Sequence, residues 1–311
     1  MTAIRWLFAP ADHEGPRGHA WTASLLRILV GLLWLYNLSW KRPPGFGQDS
    51  GKGVFGFTQD AVDHPVFGPF SWLVEHLVLP NFAVFGWAVL VVETALAVLL
   101  LTGAWVRLAA LVGILESLAI GLSVAQTPGE WPWSYWMMVG IHVVLMFSAA
   151  GSVLAVDALR SRRRALRDSR DSRALALTWG VVASAAGVIA LVMSLGDDVF
   201  ASSGARLGGP GLSIGLGSYN LAGSIVLVVA GLALLGATSA RSRALAVVTA
   251  VVGLAGAIVV YTQSASSDSV LGGTNTSAAF FLCVAVVGAA IWTAGRTELV
   301  VAAAGGERVR E

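Results

Sequence analysis

Residues 81–102 read NFAVFGWAVLVVETALAVLLLT, and the only charged residue in this run is Glu93. An α-helix rises about 1.5 Å per residue, so roughly 20 apolar residues cross the ~30 Å hydrocarbon core of a bilayer. The run has this length, and its apolar residues are continuous rather than alternating, as they would be in a membrane β-barrel strand. It therefore predicts a helix that crosses a lipid bilayer.

The same pattern recurs along the chain. Hydrophobic residues make up 56% of the 311 residues and charged residues 12%, against roughly 25% charged residues in an average soluble domain. We therefore predict an all-α, polytopic membrane protein with about eight transmembrane helices. The predicted spans are 22–40, 81–102, 108–125, 135–156, 174–195, 219–238, 244–262 and 277–295.

Positive charges are distributed unevenly between the predicted loops. An even number of spans places both termini on one side, and this side holds most Lys and Arg residues, including the Arg-rich segment 160–173. The opposite side holds only Lys41, Arg42, Lys52 and Arg206. Because positive residues are retained in the cytoplasm, we expect a multi-pass protein of the cell membrane with both termini cytoplasmic. The net charge is only +2, so no nucleic-acid partner is expected.

The Arg-rich segment divides the chain into halves with the same order of spans and loops. Residues 86–126 and 223–263 are similar, and each stretch carries an Arg at its inner turn, Arg107 or Arg243. We infer an internal duplication that forms two four-helix bundles. The predicted regions are an N-terminal cytoplasmic segment 1–21, a first membrane domain 22–159, a linker 160–173, a second membrane domain 174–296 and a cytoplasmic tail 297–311.

Ionisable residues inside the predicted spans occur only in the first half, where they are Arg27, Glu93, Glu116 and His142. A charge at the bilayer centre costs at least ~3 kcal/mol, so such groups normally face the bundle interior and mark functional sites. Helix rise puts Glu93 and Glu116 at similar depths, roughly 15 Å and 13 Å from the inner ends of their spans. Neighbouring carboxylates in a dry interior cannot both stay ionised, so we predict a shared proton that His142 can pass on. Structural alternatives remain open for Glu116, which could bond a neighbouring helix, and for Arg27, which could extend to the interface.

The outer segment between the first two spans is long enough to hold structure. Residues 66–79, VFGPFSWLVEHLVL, are apolar but too short to cross a bilayer, and they predict an interfacial or re-entrant helix that covers the first bundle. Trp34, Asn37 and Trp136 are further ligand-binding candidates. Trp side chains near this boundary form either an aromatic belt or a stacking wall for a quinone ring. The Gly- and Ser-rich loop 196–218 of the second half predicts a connector.

Several cofactors are excluded by the residues that the chain lacks. Cys283 is the only cysteine and lies within the last predicted span, so no disulfide centre or iron-sulfur cluster is expected. Of the five histidines, only His142 lies within a span, which argues against a haem with two histidine ligands. His64 and His76 lack the close spacing of known metal ligands, so no metal site is predicted.

Short motifs follow a fixed order over residues 22–160. They are Arg27-x3-Gly31-x2-Trp34-Leu35 with Lys41, then Glu93 with Gly103 and Arg107, then Ala150-Gly151 with Asp157. In these motifs the first half resembles the DoxX family, and within it the DoxD type, the small subunit of thiosulfate:quinone oxidoreductase. The resemblance implies a membrane subunit of a redox complex that passes electrons to quinone, or an accessory subunit that recruits a soluble oxidoreductase. The second half does not look like the family's usual companion subunit.

The leading hypothesis is an integral membrane subunit of a quinone-linked oxidoreductase, in which Glu93 and His142, with Glu116, handle a quinone proton and Arg27 or Asn37 assists. The chain offers no ligand set for a redox centre, so a partner protein is expected to supply electrons. Two other functions stay open. The duplication and the carboxyl groups suggest a small-molecule transporter, and the Arg-rich linker suggests a scaffold that recruits a soluble redox partner.

Overall fold

The computed structural model describes residues 2–10, 17–161, 168–202, 204–208, 215–238, 243–263 and 270–307, and these are predominantly α-helical. The helices are α1 Ala3–Leu7, α2 Arg17–Leu38, α3 Gly53–Asp63, α4 Gly68–Leu73, α5 Phe82–Thr102, α6 Val106–Val124, α7 Pro132–Phe147, α8 Val156–Arg160, α9 Asp168–Met193, α10 Leu221–Gly236, α11 Arg243–Gln263 and α12 Asn275–Glu307. Within the described residues, six helices are long and apolar enough to cross a membrane, while α7 and α10 are shorter apolar helices. The prediction of an all-α, multi-pass membrane protein is confirmed.

Each predicted span overlaps one of these helices, and the two halves share an order of packing. In the first half α2 packs on α5 and α6 on α7; in the second half α9 packs on α10 and α11 on α12. This equal order of helix pairs supports the predicted duplication. Most of the Arg-rich linker, at residues 162–167, and the end of the predicted tail, at 308–311, lie outside the described residues.

The fourth membrane helix, α7, ends earlier than the span predicted for it. Helix α7 ends at Phe147, and its C-cap Ser148 has the extended dihedrals φ −93° and ψ 175°. The chain then turns, with Leu154 at a φ of 46°. The carbonyl groups that the turn frees at Val153 and Leu154 accept hydrogen bonds from Arg27, at 3.3 Å and 2.9 Å. The span predicted for 135–156 was therefore too long, because a buried Arg from another helix replaces the missing helical hydrogen bonds.

Small residues let α2 and α5 approach each other closely. A Cβ atom placed on Gly31 of α2 would lie 2.9 Å from Leu101 Cγ and 3.0 Å from the Leu101 backbone nitrogen. These distances are too short for ordinary contact. The absence of a side chain at Gly31 therefore sets the separation between the two helices, as is common where membrane helices pack.

The outer segment of the first half is helical and covers one end of the bundle. Helix α3 is followed by α4, a π-helical turn at Val74–Val78 and a 3-10 turn at Leu79–Asn81, which leads directly into α5. The helical conformation predicted for 66–79 is confirmed over 68–78, and its interfacial or re-entrant position stays a prediction. In the second half, the predicted connector 196–218 contains most of an antiparallel pair of strands, β1 Ala205–Gly208 and β2 Gly215–Tyr219.

The halves are in direct contact, chiefly through α12 and α5. Ala279 and Cys283 of α12 join the buried core of the first half, which includes Leu90 and Leu96 of α5. The burial of Cys283 in this core agrees with its position in an apolar span. The two predicted bundles thus share part of their core instead of packing as separate units.

Replacing Gly31 with alanine should lower the free energy of unfolding by about 1–3 kcal/mol, because the added methyl group has to push α5 away. Gly18 is a matched control on the same helix, since a Cβ atom there meets nothing within 4 Å. Gly18→Ala should raise stability by about 0.5–1 kcal/mol through helix propensity alone. Denaturation in mixed detergent micelles, followed by circular dichroism, measures both values. Equal changes in the two variants would contradict a close approach at Gly31.

Candidate functional site

A cavity of about 610 Å³ lies in the first half. Helices α2, α5, α6 and α7 surround it, and α3, α4 and the π-helical turn cover it at the end where α2 stops. Its wall is largely apolar and includes Trp34, Phe57, Phe70, Phe85, Ile120 and Met138. This volume falls within the roughly 300–1,000 Å³ range of small-molecule sites. The cavity has the size and lining expected for an apolar ligand.

A buried ion pair forms one side of the cavity. The Lys41 Nζ contacts Glu93 Oε2, and both side chains are 2% exposed. Lys41 Nζ also donates to the Asn37 carbonyl at 3.1 Å and lies 4.0 Å from the centroid of the Trp40 ring. These contacts hold a flexible lysine in one position. Such a pair is stable only while both members are present, because a lone charge here would be neither hydrated nor neutralised.

Glu116 and Ser117 of α6 complete the polar part of the cavity. Glu116 is half-buried and near enough to interact electrostatically with Glu93 and Lys41. The Ser117 side chain is buried, and its hydroxyl has no hydrogen-bond partner among the described residues. Glu93 and Glu116, for which helix rise predicts similar depths, both line this one cavity, and the shared proton stays a prediction. A buried hydroxyl without a partner is costly unless a ligand or water bonds to it.

His142 lies behind the cavity wall, on α7. The indole Nε1 of Trp34 donates to His142 Nε2 at 3.0 Å, and His142 Nδ1 lies 2.7 Å from the Met138 carbonyl oxygen. An indole N–H can only donate, so Nε2 accepts and Nδ1 carries the proton that bonds to Met138. Nε2 therefore joins α7 to α2, and the Nδ1 proton is held within α7 itself. The structure does not bring His142 to the cavity with Glu93.

Replacing His142 with leucine should lower the free energy of unfolding by about 1–3 kcal/mol, because the buried Trp34 N–H loses its acceptor. Ligand binding by the folded variant should change less than in Glu116→Gln. Denaturation in mixed micelles and ligand titration measure the two effects separately. A loss of binding as complete as in Glu116→Gln, with stability unchanged, would contradict this structural role and favour the predicted proton transfer.

The other predicted ligand-binding residues occupy different places. Trp34 and Asn37 line the cavity. Arg27 is fully buried, but it lies 14 residues before Lys41 in the sequence. This separation corresponds to roughly 21 Å along a helix axis. Trp136 is 42% exposed and, among the described residues, does not belong to the cavity lining. Only Trp34 and Asn37 of these four are therefore brought to Glu93 and Glu116.

Two residues of the site were missed by reasoning from charge alone. Lys41 was counted with the cations of the outer side because it follows the first span directly. The motif order that carries the DoxX resemblance does include Lys41, and this was the available signal. Ser117 carries no charge and adjoins Glu116, so nothing in the sequence distinguishes it from other small residues of an apolar helix.

Comparison of the chain with protein-family models, with curated proteins and with solved structures found no match. The geometry of the cavity and the residues that line it are therefore the basis for assigning a function.

Proposed function

We propose that this protein is the membrane subunit of a quinone-linked oxidoreductase and binds a quinone in the cavity of its first half. The observation that carries the proposal is the convergence of Lys41, Glu93 and Glu116 on one side of an apolar cavity. A quinone combines an apolar ring and tail with two carbonyl oxygens. The cavity offers both environments, and the motif resemblance to DoxD favours a quinone among such ligands.

The polar groups of the cavity match what a quinone carbonyl needs. The Ser117 hydroxyl has no partner among the described residues and can donate to a carbonyl oxygen, and Trp34 and Phe85 offer apolar surface for the ring. Reduction of a quinone to a quinol takes up two electrons and two protons. Glu116 passes both protons in turn to the two quinone oxygens and takes up a proton from water after the first transfer, while Glu93 stays paired with Lys41 and keeps the net charge beside Glu116 unchanged.

A partner protein supplies the electrons in this proposal. The sequence has one cysteine and five histidines; Cys283 is buried in the apolar core, and His142 uses both ring nitrogens in hydrogen bonds. One cysteine is too few to hold an iron-sulfur cluster, and the single histidine within a predicted span cannot supply both ligands of a bis-histidine haem inside the membrane. The chain would therefore act as the quinone-binding and membrane-anchoring part of a larger complex.

The orientation in the membrane follows from the charge distribution. We place both termini and the Arg-rich linker in the cytoplasm, and the Lys41 end of the first bundle at the opposite face of the cell membrane. In a Cys283→Ser background, Ser50→Cys should react with a membrane-impermeant maleimide added to intact cells. Arg5→Cys should react only after the cells are opened. The reverse pattern would contradict this orientation.

Quinone extracted from protein purified in mild detergent and measured by mass spectrometry tests the binding proposal. Wild type should retain quinone in a fixed ratio to protein, and Glu116→Gln and Ser117→Ala should each reduce that ratio several-fold. Trp136→Phe is the matched control, because Trp136 lies outside the cavity lining within the described structure, and it should retain the wild-type ratio. Absence of quinone from folded wild type, together with no binding of added decylubiquinone, would overturn the proposal.

A further inference from the structure

The second half contacts the backbone of Lys41. Asn275, the first residue of α12, donates from Nδ2 to the Lys41 carbonyl at 2.8 Å and to the Leu38 carbonyl at 3.4 Å. The last carbonyl groups of a helix have no partner within the helix. Asn275 is 5% exposed, so this cap on the end of α2 is made inside the protein. The position of Lys41 therefore depends on a side chain of the second half.

The second half also contacts the residue beside Glu93. The Tyr261 hydroxyl of α11 lies 2.7 Å from Thr94 Oγ1, and Thr94 follows Glu93 on α5. Thr94 is buried, as is Glu93. Each member of the Lys41–Glu93 pair is thus adjoined by a hydrogen bond from a different helix of the second half.

We propose that the second half is a positioning device for the ion pair of the first half, with Asn275 and Tyr261 as its positioning residues. This assigns a role to a half whose predicted spans contain no Asp, Glu, Lys, Arg or His. Its importance for ligand binding rests on the proposed quinone site. The inference that Asn275 positions Lys41 depends only on the hydrogen bonds between them and not on the identity of the ligand.

The chemistry of lysine explains why such positioning is needed. A lysine side chain has four carbons with free rotation and a strongly hydrated ammonium group. Lys41 also lies after the end of α2, where a helix frays most easily. Without the Asn275 cap, the end of α2 could unwind and carry Nζ away from Glu93 toward water. The cavity would then lose the charge arrangement that defines its polar side.

The sequence provides an internal standard for a test, because its only lysines are Lys41 and Lys52. Lys41 is buried and Lys52 is exposed. Purified full-length protein is treated briefly with acetic anhydride, and acetylation of each lysine is measured by peptide mass spectrometry. The ratio of Lys41 to Lys52 labelling reports whether the ion pair is closed, without requiring any ligand.

Asn275→Leu should raise this labelling ratio about tenfold, as expected when a buried hydrogen bond is lost. Tyr261→Phe removes one hydroxyl group and should raise the ratio less, about two- to fivefold. Thr276→Val is the matched control: the Thr276 hydroxyl is buried and has no hydrogen-bond partner among the described residues. It should leave the ratio unchanged. Tyr261→Phe also keeps the test decisive if Asn275→Leu does not fold.

The outcomes separate this inference from the quinone proposal. Increased Lys41 labelling in Asn275→Leu and Tyr261→Phe, with weaker binding of decylubiquinone, would support both. Increased labelling in a protein that binds no decylubiquinone even as wild type would support positioning and contradict the quinone site. An unchanged ratio in both variants would overturn the inference. So would an equal increase in Thr276→Val, because this would show general loosening of the second half.

Discussion

Replacing Lys41 with methionine should lower the free energy of unfolding by about 3–5 kcal/mol, because Glu93 is left buried without its partner. The two side chains are each only 2% exposed, so water does not replace the missing ammonium group. Methionine has a similar length and is apolar, so lost packing contributes little to the effect. Denaturation in mixed detergent micelles measures the change, and extraction of bound quinone measures its effect on the site.

The double variant Lys41→Met with Glu93→Gln separates a broken pair from a general defect. Removing both charges should recover most of the lost stability, since no unpaired charge remains. It should not restore quinone binding, because the charge arrangement of the cavity is still absent. Lys52→Met, at an exposed position, should have no measurable effect. A double variant as unstable as the single one would show that the two side chains are not coupled.

The membrane helices could be predicted from the sequence because the bilayer imposes a strict rule. A backbone inside hydrocarbon has to satisfy its own hydrogen bonds, so long apolar runs become helices. The run 81–102 became α5 almost residue for residue. The end of α7 could not be predicted this way, because it depends on Arg27 supplying hydrogen bonds from a distant part of the chain.

The candidate site was predictable in part. Glu93 and Glu116 were identified because an ionisable group in an apolar span is rare, and helix rise gave them a common depth. Neither argument gives the rotation of a helix about its axis. The rotation places His142 against Trp34 and leaves Trp136 at the surface. The pairing of Lys41 with Glu93 was not predicted for a similar reason, since charge counting cannot tell a loop cation from one that folds back into the bundle.

The role of the second half in positioning the Lys41–Glu93 pair could not be predicted from the sequence, because it depends on uncharged groups. Asn275 and Tyr261 act through single hydrogen bonds to the first half. An amide or a hydroxyl near the end of a span is common and carries no signal by itself. Only the packing of α12 and α11 against α2 and α5 reveals what these groups touch.

Replacing Arg27 with methionine should have the largest effect on the fold, a loss of more than about 4 kcal/mol in the free energy of unfolding. The guanidinium is fully buried. Its Nη1 donates to the Leu100 and Leu101 carbonyls at 2.8 Å and 3.3 Å, and its Nη2 donates to the turn after α7. Without it, carbonyl groups from two separate segments lose their donors at once. Each stranded buried acceptor costs about 1–3 kcal/mol.

Two further variants show whether geometry or charge is responsible. Arg27→Lys keeps the positive charge but cannot span both segments with one ammonium group, so it should recover only part of the lost stability. Arg17→Met removes an exposed arginine from the same helix and should change stability by less than about 0.5 kcal/mol. The folded fraction of Arg27→Lys should still bind quinone, because Arg27 lies far along α2 from Lys41. Loss of binding at near-normal stability would instead assign Arg27 to the ligand, as the sequence alone suggested.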